Sequence, residues 1–160
     1  MLPADLPTVE DHRLDPDDGP APRTGVVIVA AGSGARVGAD TNKVLLPLLG
    51  ETVLTWSVRT VASLPYVDRL VVVVRREDAE QVAELVRAEL GKEQEAVLVI
   101  GGATRHASEQ RGLEPLRGPV AAGELEVVAV HDAARPLADA ALFEAVVRAA
   151  RRHGAALPVR

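Results

Sequence analysis

The chain has 160 residues, no cysteine and a formal net charge of −5 at pH 7; that is enough length for one domain with a real core, and disulfides and thiolate metal sites are excluded. Trp56, Tyr66 and Phe143 are its only aromatic residues, so no platform exists for stacking single-stranded nucleic acid, and a nucleobase would have to be held by hydrogen bonds. Residues 1–23 carry a charge of −4, while the rest of the chain holds 17 acids and 16 bases, so a generally basic nucleic-acid surface is excluded as well.

In chain order, residues 1–23 mix five prolines with six acids and too little apolar material to offset the cost of ordering. A disordered tail is expected there, followed by one folded domain over residues 24–160. The N-terminus lacks a basic region followed by an apolar stretch, and no run approaches the roughly 18 apolar residues of a membrane span. A soluble cytoplasmic protein that engages neither nucleic acid nor membrane is the expectation.

Residues 26–31 form a continuous apolar run, which suits a strand buried on both faces of a parallel sheet. The loop beyond it contains Gly32, Ser33, Gly34 and Gly38. Backbone there can approach a ligand closely, and successive N–H groups can turn toward an anion. Arg36 and Lys43 are the basic side chains of this stretch, a plausible device for holding a nucleoside triphosphate.

Residues 45–49 are interrupted by Pro47 and closed by Gly50, which predicts a short extended or turn segment. Thr52 is placed to cap a helix with an apolar face of Val53, Leu54, Val58 and Val61, ending before Pro65. Residues 69–74 read as a second strand, and residues 77–90 as a helix carrying Ala79, Val82, Ala83, Val86 and Leu90 on one face, with Gly91 past its end. A third strand at 96–100 runs into Gly101, Gly102, Ala103, Thr104 and Arg105, followed by a helix of weaker pattern to about residue 117. A fourth strand at 126–130 empties into His131, Asp132, Ala133, Ala134, Arg135 and Pro136. The last helix, 138–153, is expected to turn Leu142, Ala145, Val146 and Ala149 inward and to end at Gly154. Residues 155–160 read as the opening of another strand.

Strands alternating with helices across short connections predict an α/β fold, an open and mostly parallel sheet with helices on both faces. In such sheets ligands bind outside the carboxyl ends of the strands. The Gly32 loop, the 101–105 segment and the 131–136 segment each follow a strand, so all three are expected at one edge.

Each candidate has a plainer reading beside it. Gly32, Gly34 and Gly38 have the spacing GxGxxxG, which admits a dinucleotide fold, and Arg75 and Arg76 after the second strand would suit a 2′-phosphate cofactor. Arg36 and Lys43 are either solvated surface charges or partners of a triphosphate. Asp132 is either a turn acid or a carboxylate that accepts ribose hydroxyls or binds a divalent cation. His131, adjacent to it in extended backbone, points the other way and suits a structural hydrogen bond. Arg135 either grips a phosphate or pairs with Asp132. Ser108 either bonds its own helix backbone or reads a base, and Arg105 orders its loop.

The segments AAGSGARVGADTNK at 30–43, GGATRHAS at 101–108 with Gly112 and Leu113 after it, and HDAARP at 131–136 resemble the 2-C-methyl-D-erythritol 4-phosphate cytidylyltransferase family of non-mevalonate isoprenoid synthesis. The match runs over roughly residues 25–160, in the family's order. The resemblance implies a Rossmann-like nucleotidyltransferase that uses CTP and Mg²⁺, in which methylerythritol phosphate attacks the α-phosphorus and pyrophosphate leaves. By motif, Ala30, Ala31, Gly32 and Gly34 would lie by the nucleotide, and Arg36 and Lys43 would be catalytic, stabilising charge at the transferring phosphate. Gly102, Ala103 and Ser108 would contact cytosine, Asp132 and Ala133 would meet ribose and metal, and Arg135 would approach the second substrate.

Two positions depart from the family's pattern: Asn42 stands where proline is common before the loop lysine, and Glu109 where an apolar residue follows the serine. The family also continues past this point into a Thr-Asp-Thr segment, a dimerisation arm and a late lysine, so its homodimer contacts and part of its acceptor site are not expected within 24–160. Three readings follow: cytidylyl transfer to methylerythritol phosphate, the same chemistry on another polyol or sugar phosphate, or CTP binding without turnover.

Overall fold

Valine sets the sheet. β-Branched residues pack well on a pleated surface, and two valine-rich stretches become its central strands, β1 (Thr24–Val29) and β4 (Val67–Val74). The computed structural model describes residues 19–32, 42–91 and 94–158. Beside the central pair run β5 (Ala96–Ile100) and β6 (Val127–Asp132), in the order β5-β4-β1-β6 with every neighbouring pair parallel. The 155–160 stretch expected to open a strand has no regular structure over 155–158, and its last two residues lie outside those described.

Side chains alternate across the sheet, so each central strand serves both faces. Val26, Ile28, Val72 and Val74 join Leu54, Val58, Val61, Val82, Val86 and Phe143 in one core. The last six come from α1 (Val53–Ala62), α2 (Ala79–Glu89) and α5 (Ala140–His153). Val27, Val71 and Val73 face the other way, against Leu116, Leu125 and Leu113, the side covered by α3 (Arg105–Leu113) and the 3₁₀ turn Glu114–Leu116 that follows it, while the short α4 (Arg117–Ala121) buries no residue. Each fully buried aliphatic side chain contributes about 1.5–3 kcal/mol relative to exposure. Helices on both faces of a parallel sheet are thus as expected.

Local chemistry sets the helix ends. Thr52 Oγ1 accepts the Thr55 N–H at 3.1 Å, Thr104 Oγ1 the Ala107 N–H at 3.1 Å and Asp139 Oδ1 the Leu142 N–H at 2.8 Å, each supplying a partner to a first-turn donor. Gly154 closes α5 at φ 84°, in the left-handed region. The inward face of α5 differs from expectation: Phe143 and Val147 are its buried residues and Leu142 is exposed. Helical periodicity fits both phases, and the tilted contact of Phe143 with His131, ring centroids 5.1 Å apart, selects one. Between Gly50 and Pro47, the 45–49 stretch belongs to a small hairpin of β2 (Pro47–Leu48) and β3 (Glu51–Thr52).

Residues 1–18 of the expected tail lie outside those described, but residues 19–23 pack on the domain. Arg148 Nη1 donates to the Gly19 carbonyl at 2.9 Å and the Arg23 N–H to Glu126 at 3.1 Å.

Glycine 112 sets how closely α3 lies on the sheet. A methyl group there would come within 2.5 Å of Val27 Cγ1 and 2.6 Å of Val73 Cγ2, and both valines are buried with no room to turn. Gly112→Val is expected to lower stability by about 2 kcal/mol through overpacking. Denaturant unfolding of the two proteins measures this, and an unchanged midpoint would contradict the close approach.

Candidate active site

A parallel sheet puts the carboxyl ends of all its strands at one edge, and the register here aligns them. Val29 of β1 pairs with Val73 of β4 and with Asp132 of β6, and Val73 pairs with Val99 of β5. Strand order reverses beside β1: β4 and β5 lie on one side of it and β6 on the other. The crevice of an open α/β sheet opens at such a reversal, and here Ala30, Ala31 and Gly32 leave β1 next to Asp132.

The strand tips are packed together through residues that have little or no side chain. A methyl group on Gly101 would lie 2.6 Å from Ala31 Cβ and 2.9 Å from Ser108 Oγ, and one on Gly102 would lie 2.5 Å from Ala107 Cβ. The 101–104 loop therefore touches both the β1 tip and α3. Ser108 is buried, with its hydroxyl accepting the Gly102 N–H at 3.0 Å and donating to the Thr104 carbonyl at 3.0 Å. Arg111 Nη1 donates to the Gly101 carbonyl at 2.7 Å. Of the two readings of Ser108, these contacts are those of a residue that shapes the loop presenting Gly102 and Ala103.

Ala30 and Ala133 are fully buried backbone links: the Ala30 N–H donates to the Val73 carbonyl at 2.8 Å and the Ala133 N–H to the Val29 carbonyl at 3.1 Å. Ala31 is half-buried, and Gly32 and Ala103 are exposed. Gly34 and Arg36 lie outside the described residues.

The charges gather around Asp132. Its Oδ1 accepts the Ala134 N–H at 3.0 Å and its Oδ2 the Arg105 guanidinium at 3.1 Å. Burial works against the carboxylate, but the Ala134 N–H, Arg105 and the charge of Lys43 outweigh it and hold Asp132 below its ordinary value. Arg105 and Asp132, from two separate chain segments, are thus in direct contact, and the Lys43 charge acts on Asp132 more weakly. Arg105 also donates to Glu109 at 2.8 Å. Of the two readings of Arg135, the pairing with Asp132 is not seen, since Arg105 holds that carboxylate. Arg135 is exposed at the turn after β6, its backbone N–H donating to the Asp132 carbonyl at 2.9 Å.

His131 points to the opposite face, as extended backbone requires. Its Nε2 lies 3.2 Å from Ser57 Oγ, and burial lowers its pKa.

Three residues outside the candidate site set enter the arrangement, of which only Asp78 was without a reading from the sequence. Asn42 is buried, and its amide donates to the Ala30 carbonyl at 2.8 Å and to Asp78 Oδ2 at 2.9 Å. Asp78 in turn receives Arg75 through Nε at 2.6 Å and Nη2 at 3.0 Å. Arg75 is thus committed to a carboxylate, which leaves only Arg76 of the two suggested 2′-phosphate partners. The sequence did hold a signal, since Arg and Asp at i,i+3 after a strand often pair across one turn.

Among the described residues no group of three or more His, Asp or Glu side chains could hold a metal. Among the described residues Asp132 offers a charged carboxylate at the tip of β6, with one hydrogen bond on each oxygen, which could contribute one ligand to a divalent cation. A cleft of about 520 Å³ lined by Arg23, Leu64, Tyr66 and Arg148 lies beside the amino ends of β1 and β4, away from these groups. No helix among the described residues is long and apolar enough to cross a membrane.

The chain matches the family model described as IspD, 2-C-methyl-D-erythritol 4-phosphate cytidylyltransferase, over residues 24–160. It is 43% identical over 135 residues to the bifunctional enzyme IspD/IspF of Clavibacter michiganensis, covering 84% of this chain and 32% of that protein. It is 43% identical over 129 residues to the 2-C-methyl-D-erythritol 4-phosphate cytidylyltransferase of Prochlorococcus marinus, covering 78% of this chain and 54% of that one. Among solved structures it is similar to the 4-diphosphocytidyl-2C-methyl-D-erythritol synthase of Anaerococcus prevotii, with a TM-score of 0.65 and 27% identity over 81% of this chain and 51% of that chain. The chain spans from about a third to just over half of the length of these relatives.

The neutral, buried imidazole has a consequence for pH. An unfolded histidine titrates near 6.5 and the folded His131 lower, so above that range neither state binds the proton. As pH falls through 6.5 the unfolded chain takes it up first, and stability is lost until the lower folded pKa is reached. Comparing wild type with His131→Phe between pH 7.5 and 5 should show the variant gaining relative stability as pH falls. A difference independent of pH would contradict the buried neutral ring.

Proposed function

Because this chain belongs to the 2-C-methyl-D-erythritol 4-phosphate cytidylyltransferase family, we propose that it transfers a cytidylyl group from CTP to 2-C-methyl-D-erythritol 4-phosphate and releases pyrophosphate. What supports this reading is the ion pair of Asp132 with Arg105 at the tip of β6, within reach of the Lys43 charge, on the edge where Gly102 and Ala103 follow β5.

Transfer of this kind needs no covalent intermediate. An acceptor phosphate oxygen attacks the α-phosphorus of CTP, forming one P–O bond, while the bond to the bridging oxygen breaks and pyrophosphate leaves with its electrons. The protein's part is positioning and charge stabilisation. Lys43 and Arg36 would balance charge on the transferring phosphate, and the exposed loop at Gly102 and Ala103 would present backbone groups to cytosine while Ser108 holds that loop in shape. Asp132, kept as a carboxylate, would accept a ribose hydroxyl or, with the triphosphate oxygens, hold Mg²⁺, which when bound neutralises charge on the departing pyrophosphate. Arg135, exposed after β6, would meet the acceptor. The homodimer of the family is carried over as part of this proposal.

Pyrophosphate release from CTP in the presence of methylerythritol phosphate and Mg²⁺ tests the reading directly. No release would overturn it, and CTP-dependent thermal stabilisation without release would point to binding alone. Running the same assay with other polyol and sugar phosphates identifies the acceptor. Lys43→Ala and Arg36→Ala are each expected to lower turnover by about 10²–10³-fold, the usual cost of losing a donor to transition-state charge. Unchanged turnover in either would remove that residue from the reaction.

A further inference from the structure

Asn42 closes the glycine-rich loop on itself. The loop leaves the sheet at Ala30 and returns at Asn42, and the Asn42 amide bonds the Ala30 carbonyl at 2.8 Å across those twelve positions. The second amide hydrogen goes to Asp78 Oδ2 at 2.9 Å, just past the end of β4. The side-chain oxygen faces the Val44 N–H at 3.4 Å, and the main-chain carbonyl accepts the Leu45 N–H at 2.9 Å, capping the single 3₁₀ turn that carries Lys43. Both amide donors and both oxygens of Asn42 are therefore engaged, in a residue only 1% exposed.

Asp78 is a firm anchor for this tie. Burial opposes its charge, but the paired Arg75 guanidinium and the Asn42 amide hold its carboxyl below the usual range. A bidentate guanidinium fixes the carboxylate in orientation as well as charge. The run Arg75–Asp78–Asn42–Ala30 thus links the tip of β4, the start of the loop and its close. Lys43 is the next residue, at the place where its charge reaches Asp132.

We infer that Asn42, anchored by Asp78 and Arg75, is a positioning residue for cytidylyl transfer, holding Lys43 toward the transferring phosphate. The inference rests on the reaction proposed above. Proline, common at this position in the family, restricts the backbone covalently; Asn42 reaches across to the turn that follows β4.

The test is pyrophosphate release by the full protein and its variants Asn42→Ala, Asp78→Asn, Lys43→Ala and Asn42→Ala/Lys43→Ala, with thermal melts to establish that each is folded. Misplacing a group that acts in the transition state lowers kcat by roughly 10–100-fold, so Asn42→Ala should lose that much while the KM for CTP moves less than about threefold. Asp78→Asn keeps an oxygen for the Asn42 amide but gives up the charge, and should show a smaller loss of the same kind; it carries the test if Asn42→Ala does not fold. In the Lys43→Ala background the Asn42 substitution should cost little more, because the group it positions is gone. Losses that multiply in the double variant, or a kcat for Asn42→Ala within threefold of the parent, would overturn the positioning role while leaving the proposed reaction standing. Absence of turnover in the parent protein would overturn the reaction and this inference together.

Discussion

At one level of the sheet, Asp132, Val29, Val73 and Val99 follow one another across all four strands. Parallel pairing in this register makes every strand end in the same direction, and the loops after β1, β5 and β6 have nowhere to go but one edge. Parallel strands need long crossovers, usually helical, and these cover both faces and leave the edge open. A shift of one residue in β6 would turn Asp132 to the face where His131 lies and put the imidazole at the crevice. The buried His131, against Ser57 and Phe143, opposes that shift.

Closeness at the edge is obtained by removing side chains. Gly101, Gly102 and Gly112 each sit where a methyl group would overlap a neighbour, and Ala31 and Ala133 present the smallest side chain available. The walls of the crevice are consequently main chain, with few groups free to move. A site that works by positioning benefits from such walls, because hydrogen-bond donors fixed in place need not reorganise as charge develops. Among the described residues Arg105 is shared by Asp132 and Glu109 at this edge, and Asp132 remains ionised because the N–H of Ala134, Arg105 and the charge of Lys43 outweigh its burial.

Two departures from the family's pattern, Asn42 and Glu109, both become polar ties at this edge. Glu109 shares the Arg105 guanidinium with Asp132, at 2.8 Å and 3.1 Å. Asn42 binds the glycine-rich loop to Asp78. In each case a side chain with hydrogen-bonding capacity reaches a charged residue that also belongs to the edge.

The sequence alone determined the alternation of strands and helices, the strand at 96–100, the cap at Thr52, the stop at Gly154 and the convergence of three loops on one edge. These follow from hydrophobic period, local capping chemistry and the geometry of parallel sheets, all of which are written in near neighbours. Only the tertiary structure decided which face of α5 is buried, that Arg105 and not Arg135 holds Asp132, that the Ser108 hydroxyl is engaged with its own loop, and that Asn42 joins Asp78. Arg105 and Asn42 reach partners 27 and 36 positions away, separations that carry no periodic or capping signal. Such contacts depend on distances that exist only once the sheet has brought the strand tips together.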